Sequence, residues 1–114
     1  MPFGTAHPLG DATMINDILC VPSTHPALRG HFPGNPLVPG AVLLAMVIET
    51  TERWHEGKAR VKGMPAVKFL APMRPDKVVM LSLMPISADL LKFECQMGET
   101  LIATGNIEVA VSRP

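Results

Sequence analysis

The residues best suited to acid–base chemistry lie in one short segment around His31. Residues 30–34 read Gly-His-Phe-Pro-Gly, and the proline-rich stretch that follows ends at Pro39. A histidine titrates near neutral pH, so its side chain can accept or donate a proton. Gly34 would let the backbone approach a substrate closely, and the prolines would hold the loop in shape. The segment predicts a proton-transfer site, with a structural His31 as the alternative interpretation.

A helix is predicted to begin directly after this segment, at Gly40, and to run to about Glu56. Residues 41–48 are all apolar, which is typical of a helix buried on every side. The first N–H groups of a helix have no partner within it and favour negative charge. Those of Gly40 and Ala41 could therefore stabilise a developing oxyanion.

The other histidines and the cysteines suggest no competing chemistry. His25 is expected to be structural, and His7 and His55 are expected to be solvated. The four histidines show no metal-ligand spacing. Cys20 and Cys95 form no CxxC pair and are interpreted as reduced, buried thiols. We therefore expect no metal site.

Composition excludes some classes of function. Ten basic residues balance ten acidic ones, so the basic footprint of a nucleic-acid-binding protein is missing. The longest apolar run, residues 41–48, is far shorter than a membrane span, and no signal peptide is apparent. We therefore expect a cytoplasmic protein. Charged residues make up only 18% of the chain, which favours an oligomer that buries apolar surface between protomers.

The remaining patterns place one helix among strands. Strands are predicted at residues 14–22, 60–70, 77–84, 91–97 and 101–111, and a long connection is predicted at residues 23–39. The strand at 77–84 is apolar on both faces and is expected to be central. The last two strands alternate cleanly and predict an antiparallel hairpin around Gly98-Glu99. Together these elements predict one α+β domain over residues 1–114, with residues 1–11 flexible.

Two segments resemble a known enzyme family. Residues 25–44, His-Pro-Ala-Leu-Arg-Gly-His-Phe-Pro-Gly-Asn-Pro-Leu-Val-Pro-Gly-Ala-Val-Leu-Leu, are similar to the GHFPGxPxxPGV signature of the FabZ/FabA-like β-hydroxyacyl-ACP dehydratases. Residues 68–76 resemble the second conserved stretch of that family, without the glycine usual before its aspartate. The short chain also resembles compact members from aryl-polyene-type gene clusters. The resemblance implies a hot-dog fold, in which an antiparallel sheet wraps around one long buried central helix.

The resemblance also implies an activity. It is the dehydration of a 3-hydroxyacyl thioester carried by acyl carrier protein or CoA, in fatty acid or polyketide-type biosynthesis, without a metal or organic cofactor. His31 would be the catalytic base. In the family, a histidine of one protomer faces a helix carboxylate of the other, so a homodimer or higher homo-oligomer is expected. The residues expected to contact substrate follow the two ends of the signature: Phe32, Pro33, Gly34, Pro39, Gly40 and Ala41.

The sequence departs from the family at Ala45, where the dehydratases carry Glu or Asp. Glu49, four residues later on nearly the same helix face, is the candidate replacement for the missing acid. Glu52 lies further away and is the weaker candidate. Three hypotheses follow: a dehydratase in which Glu49 or a bound water is the acid, a hot-dog acyl thioesterase, or a non-catalytic acyl-binding or partner subunit.

Overall fold

The structure is a computed structural model that describes residues 14–28, 37–56 and 58–111. His31, Phe32, Pro33 and Gly34 lie outside the described residues, as does the predicted flexible segment 1–11. The described residues form five strands, one α-helix and a short 3₁₀ turn at Pro26–Leu28. The bounds are β1 Ile15–Leu19, α1 Gly40–Trp54, β2 Ala59–Phe69, β3 Val79–Ser87, β4 Leu90–Met97 and β5 Thr100–Val111.

The five strands form one antiparallel sheet in the order β1-β3-β4-β5-β2. The predicted C-terminal hairpin is confirmed as β4 and β5, which turn through Gly98 at a φ of 63°. Glycine adopts that left-handed conformation without steric cost. The α+β fold with one helix packed against an antiparallel sheet is also confirmed.

The core lies between α1 and the inner face of the sheet. Phe93 on β4 is completely buried and stands between Leu83 on β3 and Gly105 on β5. Burial of apolar side chains at this face provides the main driving force for folding. The other fully buried large apolar side chains come from the helix, from β3 and β5, and from the segment after β1: Val21, Val47, Val79, Leu81, Ile102 and Ile107.

Within this chain the helix is buried on one face only. Leu43, Val47, Thr50 and Thr51 are buried, whereas Ala41 and Ala45 are exposed. The expectation that residues 41–48 are buried on every side is therefore not met within one protomer. The physical reason is that the sheet covers one side of the helix, and the described residues place nothing over the other.

The prediction that the strand at 77–84 is covered on both faces was wrong, although the strand does lie in the interior of the sheet. β4 occupies the centre of the sheet, and β3 lies between it and the edge strand β1. Val79, Leu81 and Leu83 are buried on the inner face, but Met80 on the outer face is 39% exposed. The helix covers only the inner face, so apolar residues on the outer face of β3 remain accessible.

Candidate active site

The start of α1 gathers the predicted substrate-contacting residues that the structure describes. Pro39 precedes the helix with a φ of −59° and ψ of 143°, and Gly40 is the first helical residue. The carbonyl oxygen of Pro39 accepts hydrogen bonds from the N–H groups of Val42, at 3.0 Å, and Leu43, at 3.3 Å. Proline has no side-chain cap to offer, and the helix has none.

The N–H groups of Gly40 and Ala41 have no acceptor among the described residues. They could therefore donate to a ligand oxygen at the N-terminal end of the helix, where the helix dipole also favours negative charge. That these two groups stabilise an oxyanion stays a prediction from the sequence. What the structure adds is a cleft at the start of the helix.

An open cleft of about 470 Å³ is lined in part by Gly40, at the start of the helix. This volume is within the range of about 300–1,000 Å³ that is usual for small-molecule sites. The side chains that line it among the described residues are apolar and come from the helix start, from the end of β2 and from the segment that follows: Val38, Leu43, Phe69, Leu70, Ala71, Pro72 and Met73. An apolar wall next to N–H groups that have no acceptor in the described part of the chain suits a ligand with one polar end and one alkyl end.

Backbone pairing brings the second motif-like segment to the helix start. The N–H group of Val38 donates to the carbonyl oxygen of Met73 at 2.9 Å, and these two residues form an isolated antiparallel bridge. Residues 68–76 resemble a conserved stretch of the dehydratase family, but the sequence alone did not locate them at the site. The resemblance of these residues to that conserved stretch was the sequence feature from which a role at the site could have been predicted.

Asp76 fixes the end of this segment. It has a φ of 63°, a left-handed conformation that glycine adopts most readily. Its N–H group donates to the Val21 carbonyl oxygen at 2.8 Å, and its carboxylate accepts from the Ser23 N–H group at 3.0 Å. These two bonds hold the aspartate in that conformation and fix the segment to the end of β1.

The candidate acids on α1 differ in their surroundings. Ala45 and Glu49 both lie on the exposed side of the helix, and the Glu49 carboxylate has no hydrogen-bond or ion-pair partner among the described residues. The Glu52 carboxylate instead accepts a hydrogen bond from the Val61 N–H group at 2.9 Å. Glu52 therefore anchors the helix to β2, which leaves Glu49 as the unengaged carboxylate nearest to Ala45 on this face.

Two observations concern other kinds of site. No group of three or more His, Cys, Asp and Glu side chains is arranged to hold a metal ion in the ranges 14–28, 37–56 and 58–111. In the same ranges no helix is long and apolar enough to cross a membrane.

Comparison with known families identifies the chain. Residues 10–106 match the family of ApeI-like dehydratases, described as ApeI dehydratase. The chain belongs to the ApeI-like dehydratase family. This match covers the helix start, the cleft and most of the sheet, and it confirms the resemblance to FabZ-type dehydratases of the hot-dog fold.

Two proteins of known family are similar to this chain in sequence or in structure. The 3-hydroxyacyl-acyl-carrier-protein dehydratase FabZ of Acetivibrio thermocellus is 31% identical over 93 residues, which are 75% of this chain and 60% of that protein. The chain thus spans less than two thirds of the length of that relative. The dehydratase heterocomplex ApeI:P from Xenorhabdus doucetiae contains a chain with a TM-score of 0.73 and 23% identity, covering 85% of this chain and 87% of that one.

The fold is shared with proteins of another activity. A probable thioesterase from Bartonella henselae has a TM-score of 0.61 at 14% identity, covering 86% of this chain and 90% of that one. Likeness at this level shows the hot-dog fold alone. Activity must therefore be argued from the residues at the site.

Proposed function

We propose that this chain binds an acyl thioester in the cleft at the start of α1 and dehydrates a 3-hydroxyacyl group there. The observation that carries the proposal is the apolar cleft of about 470 Å³ that is lined in part by Gly40, where α1 begins and where the N–H groups of Gly40 and Ala41 have no acceptor among the described residues. Membership of a dehydratase family supports it, as does the activity named for the FabZ relative.

The reaction assigns separate roles to three groups. His31 removes the α-proton of the thioester, and the Gly40 and Ala41 N–H groups stabilise the negative charge that develops on the thioester oxygen. An acid then protonates the departing 3-hydroxyl group, which leaves as water and gives the 2-enoyl thioester. His31 lies outside the described residues, so its role rests on the sequence motif.

Glu49 is the proposed acid, directly or through a bound water. It lies one turn, or about 6 Å, beyond Ala45 along the helix axis. Helical side chains lean toward the N-terminus of their helix, so the Glu49 carboxylate extends back toward the space left by Ala45. Its exposure and lack of a partner among the described residues leave it free to take part.

A second copy of the chain would complete the site. The stripe formed by Ala41, Ala45 and Glu49 is exposed in one protomer, and β2 is an edge strand of the sheet. Open sheet edges and bare apolar surfaces are usually covered in stable proteins. We propose a dimer in which this side of α1 faces the partner, as the resemblance to the dehydratases implies.

The substrate would be a thioester on a phosphopantetheine arm, carried by acyl carrier protein or CoA. The carrier named for the FabZ relative is acyl carrier protein. An apolar cleft with donors at one end suits an alkyl chain with its thioester carbonyl group near the helix start. No metal or organic cofactor is required for this elimination.

The deciding experiment measures formation of 2-enoyl thioester from 3-hydroxyacyl-ACP by the unmodified chain. His31→Ala and Glu49→Gln should each lower kcat by about 10²-fold or more, the usual contribution of a general acid or base. Glu99→Gln, at an exposed residue in the β4–β5 turn, is the matched control and should retain activity. Full activity of Glu49→Gln would remove Glu49 from the mechanism, and an inactive unmodified chain would contradict dehydration.

Ala45 favours one alternative, a non-catalytic acyl-binding or partner subunit. Alanine cannot protonate a leaving hydroxyl group, and the Xenorhabdus structure is a dehydratase heterocomplex. If Ala45→Glu creates a dehydratase activity that the unmodified chain lacks, this alternative replaces the first.

A thioesterase is the other alternative, because the same N–H groups could stabilise the oxyanion formed when water attacks a thioester. Release of free thiol from acyl-CoA or acyl-ACP would support it. Absence of thiol release across several chain lengths would exclude it.

A further inference from the structure

Phe69 occupies an unusual position at the cleft. It lies at the end of β2, opposite Ala103 of β5, and its side chain is 53% exposed. Side chains two residues apart in a strand share a face. Phe69 therefore lies on the same face as Val67, which packs against the core. The ring continues the inner face of the sheet beyond the core and into the cleft.

The ring also packs directly on the helix start. A Cβ atom added at Gly40 would lie 2.8 Å from Cζ of Phe69 and 3.0 Å from Cε1, closer than side chains pack. Because Gly40 has no side chain, the Phe69 ring can pack directly against its backbone. The ring stands beside the first N–H groups of α1, where the proposed thioester carbonyl group would bind.

We propose that Phe69 is a specificity-determining residue that limits how long an acyl chain the cleft accepts. This inference rests on the proposed binding of acyl thioesters at the same site. The reason is steric: the ring packs against the helix start at the wall of the cleft, and the other described side chains that line this cleft are aliphatic or methionine. Removal of the ring would enlarge the cleft along its apolar wall, where the alkyl chain would lie.

The size of the effect follows from the hydrophobic contribution of each methylene group. One newly buried methylene strengthens binding by about 0.8 kcal/mol, or about fourfold. Phe69→Ala should make room for several additional methylene groups of the acyl chain. We expect the ratio of dodecanoyl-CoA to butanoyl-CoA affinity to rise by about tenfold or more.

The test uses saturated acyl-CoA thioesters, which have no 3-hydroxyl group and cannot be dehydrated. Binding of butanoyl-, octanoyl- and dodecanoyl-CoA is measured by calorimetry for the unmodified chain, Phe69→Ala and Ile86→Ala. Ile86 is a matched control because it is 55% exposed on β3 and does not line the cleft. A rise in the dodecanoyl-to-butanoyl ratio in Phe69→Ala alone supports the proposal.

A double-mutant cycle tests the contact itself. Gly40→Ala should change the chain-length ratio when Phe69 is present, because the added methyl group displaces the ring. In the Phe69→Ala background the same substitution should change the ratio less than about twofold. Equal effects in both backgrounds would show that the two residues do not act through one contact.

These experiments distinguish failure of the proposed dehydration from failure of the proposed role of Phe69. If acyl-CoA binds with a Phe69-dependent length preference but no 3-hydroxyacyl thioester is dehydrated, the proposed reaction fails and the role of Phe69 stands. If dehydration occurs and Phe69→Ala leaves the length preference unchanged, the role of Phe69 is overturned. It is also overturned if the unmodified chain binds none of the three acyl-CoA thioesters.

Discussion

At the scale of single residues, close backbone approach constrains the sequence at Gly105. This glycine on β5 lies between Phe93 of β4 and Val67 of β2. A Cβ atom there would lie 2.8 Å from the Phe93 ring and 3.0 Å from the Val67 Cα atom, and closer still to the Ala66 carbonyl oxygen. Two of these three neighbours are backbone atoms, so the sheet itself would have to move.

Gly105→Ala should therefore lower the free energy of unfolding by about 3 kcal/mol, the upper part of the usual range for overpacking. The change in the free energy of unfolding is measured by urea denaturation, with circular dichroism as the readout. Gly63→Ala is the control, because a Cβ atom there meets only the Glu108 Oε1 atom, at an ordinary 3.5 Å. Equal stabilities of the two variants would contradict the packing argument.

The two thiols differ in accessibility, and the expectation that both are buried is correct only for Cys95. Cys20 is exposed, whereas Cys95 is completely buried on β4. Burial raises the pKa of the Cys95 thiol to about 12. The reactive thiolate form is therefore negligible there at neutral pH.

N-ethylmaleimide should accordingly add once to the native protein, at Cys20, and twice after denaturation in urea. Intact-protein mass spectrometry counts the adducts, and peptide mapping locates them. Cys20→Ser should show no adduct in the native state. Rapid native labelling of Cys95 would indicate that the centre of the sheet opens readily.

At the scale of elements, Asp17 ties the C-terminal end of α1 to the edge strand β1. Its carboxylate accepts hydrogen bonds from the Ile18 N–H group at 2.8 Å and from Arg53 Nη2 and Trp54 Nε1 at 3.1 Å each. The backbone bond from Ile18 is the largest cause that lowers the pKa of Asp17, and the Trp54 and Arg53 contacts add to it, against an opposing effect of burial.

Because the folded-state pKa lies below its ordinary value of 3.8, Asp17 stabilises the fold above that value. Its contribution is lost as the pH falls through the folded-state pKa. Asp17→Asn should lower the free energy of unfolding by about 1 kcal/mol at pH 7, since the carboxylate is partly exposed to solvent. The difference from the unmodified chain should shrink as the pH falls through the folded-state pKa and disappear well below it, where both side chains are uncharged.

Urea unfolding at a series of pH values measures this dependence. Glu99→Gln removes one exposed carboxylate from the β4–β5 turn and is the matched control. A destabilisation by Asp17→Asn that persists undiminished at low pH would show that the charge of Asp17 is not its cause.

At the scale of the whole molecule, apolar surface remains accessible on one protomer. The helix residues Ala41 and Ala45 are exposed on the uncovered side of α1. Only 18% of the residues are charged. Association with a second copy would remove such surface from water.

We therefore expect a dimer in sedimentation velocity experiments at micromolar concentration. Ala45→Arg should shift it toward monomer, because a long charged side chain would lie where the helix faces its partner. Ala88→Arg, in the exposed β3–β4 turn, is the control and should leave the dimer intact. A monomeric unmodified chain would contradict the proposed shared site.

The sequence predicted much of the fold because its patterns are local. Strict alternation identified β4 and β5, and a continuous apolar run after Pro39 identified α1, each to within a few residues. The motif around His31 identified the family. The sequence also showed the departure at Ala45, since comparison with the motif needs no coordinates.

Only the tertiary structure decided how distant segments meet. Periodicity cannot give strand order, so the central place of β4 and the uncovered outer face of β3 were not predictable from an apolar run. The cleft likewise depends on contacts between residues far apart in the chain, such as the bond from Val38 to Met73 and the packing of Phe69 on Gly40. Local patterns specify the elements, but side-chain contacts across the fold create the surface on which a substrate would bind.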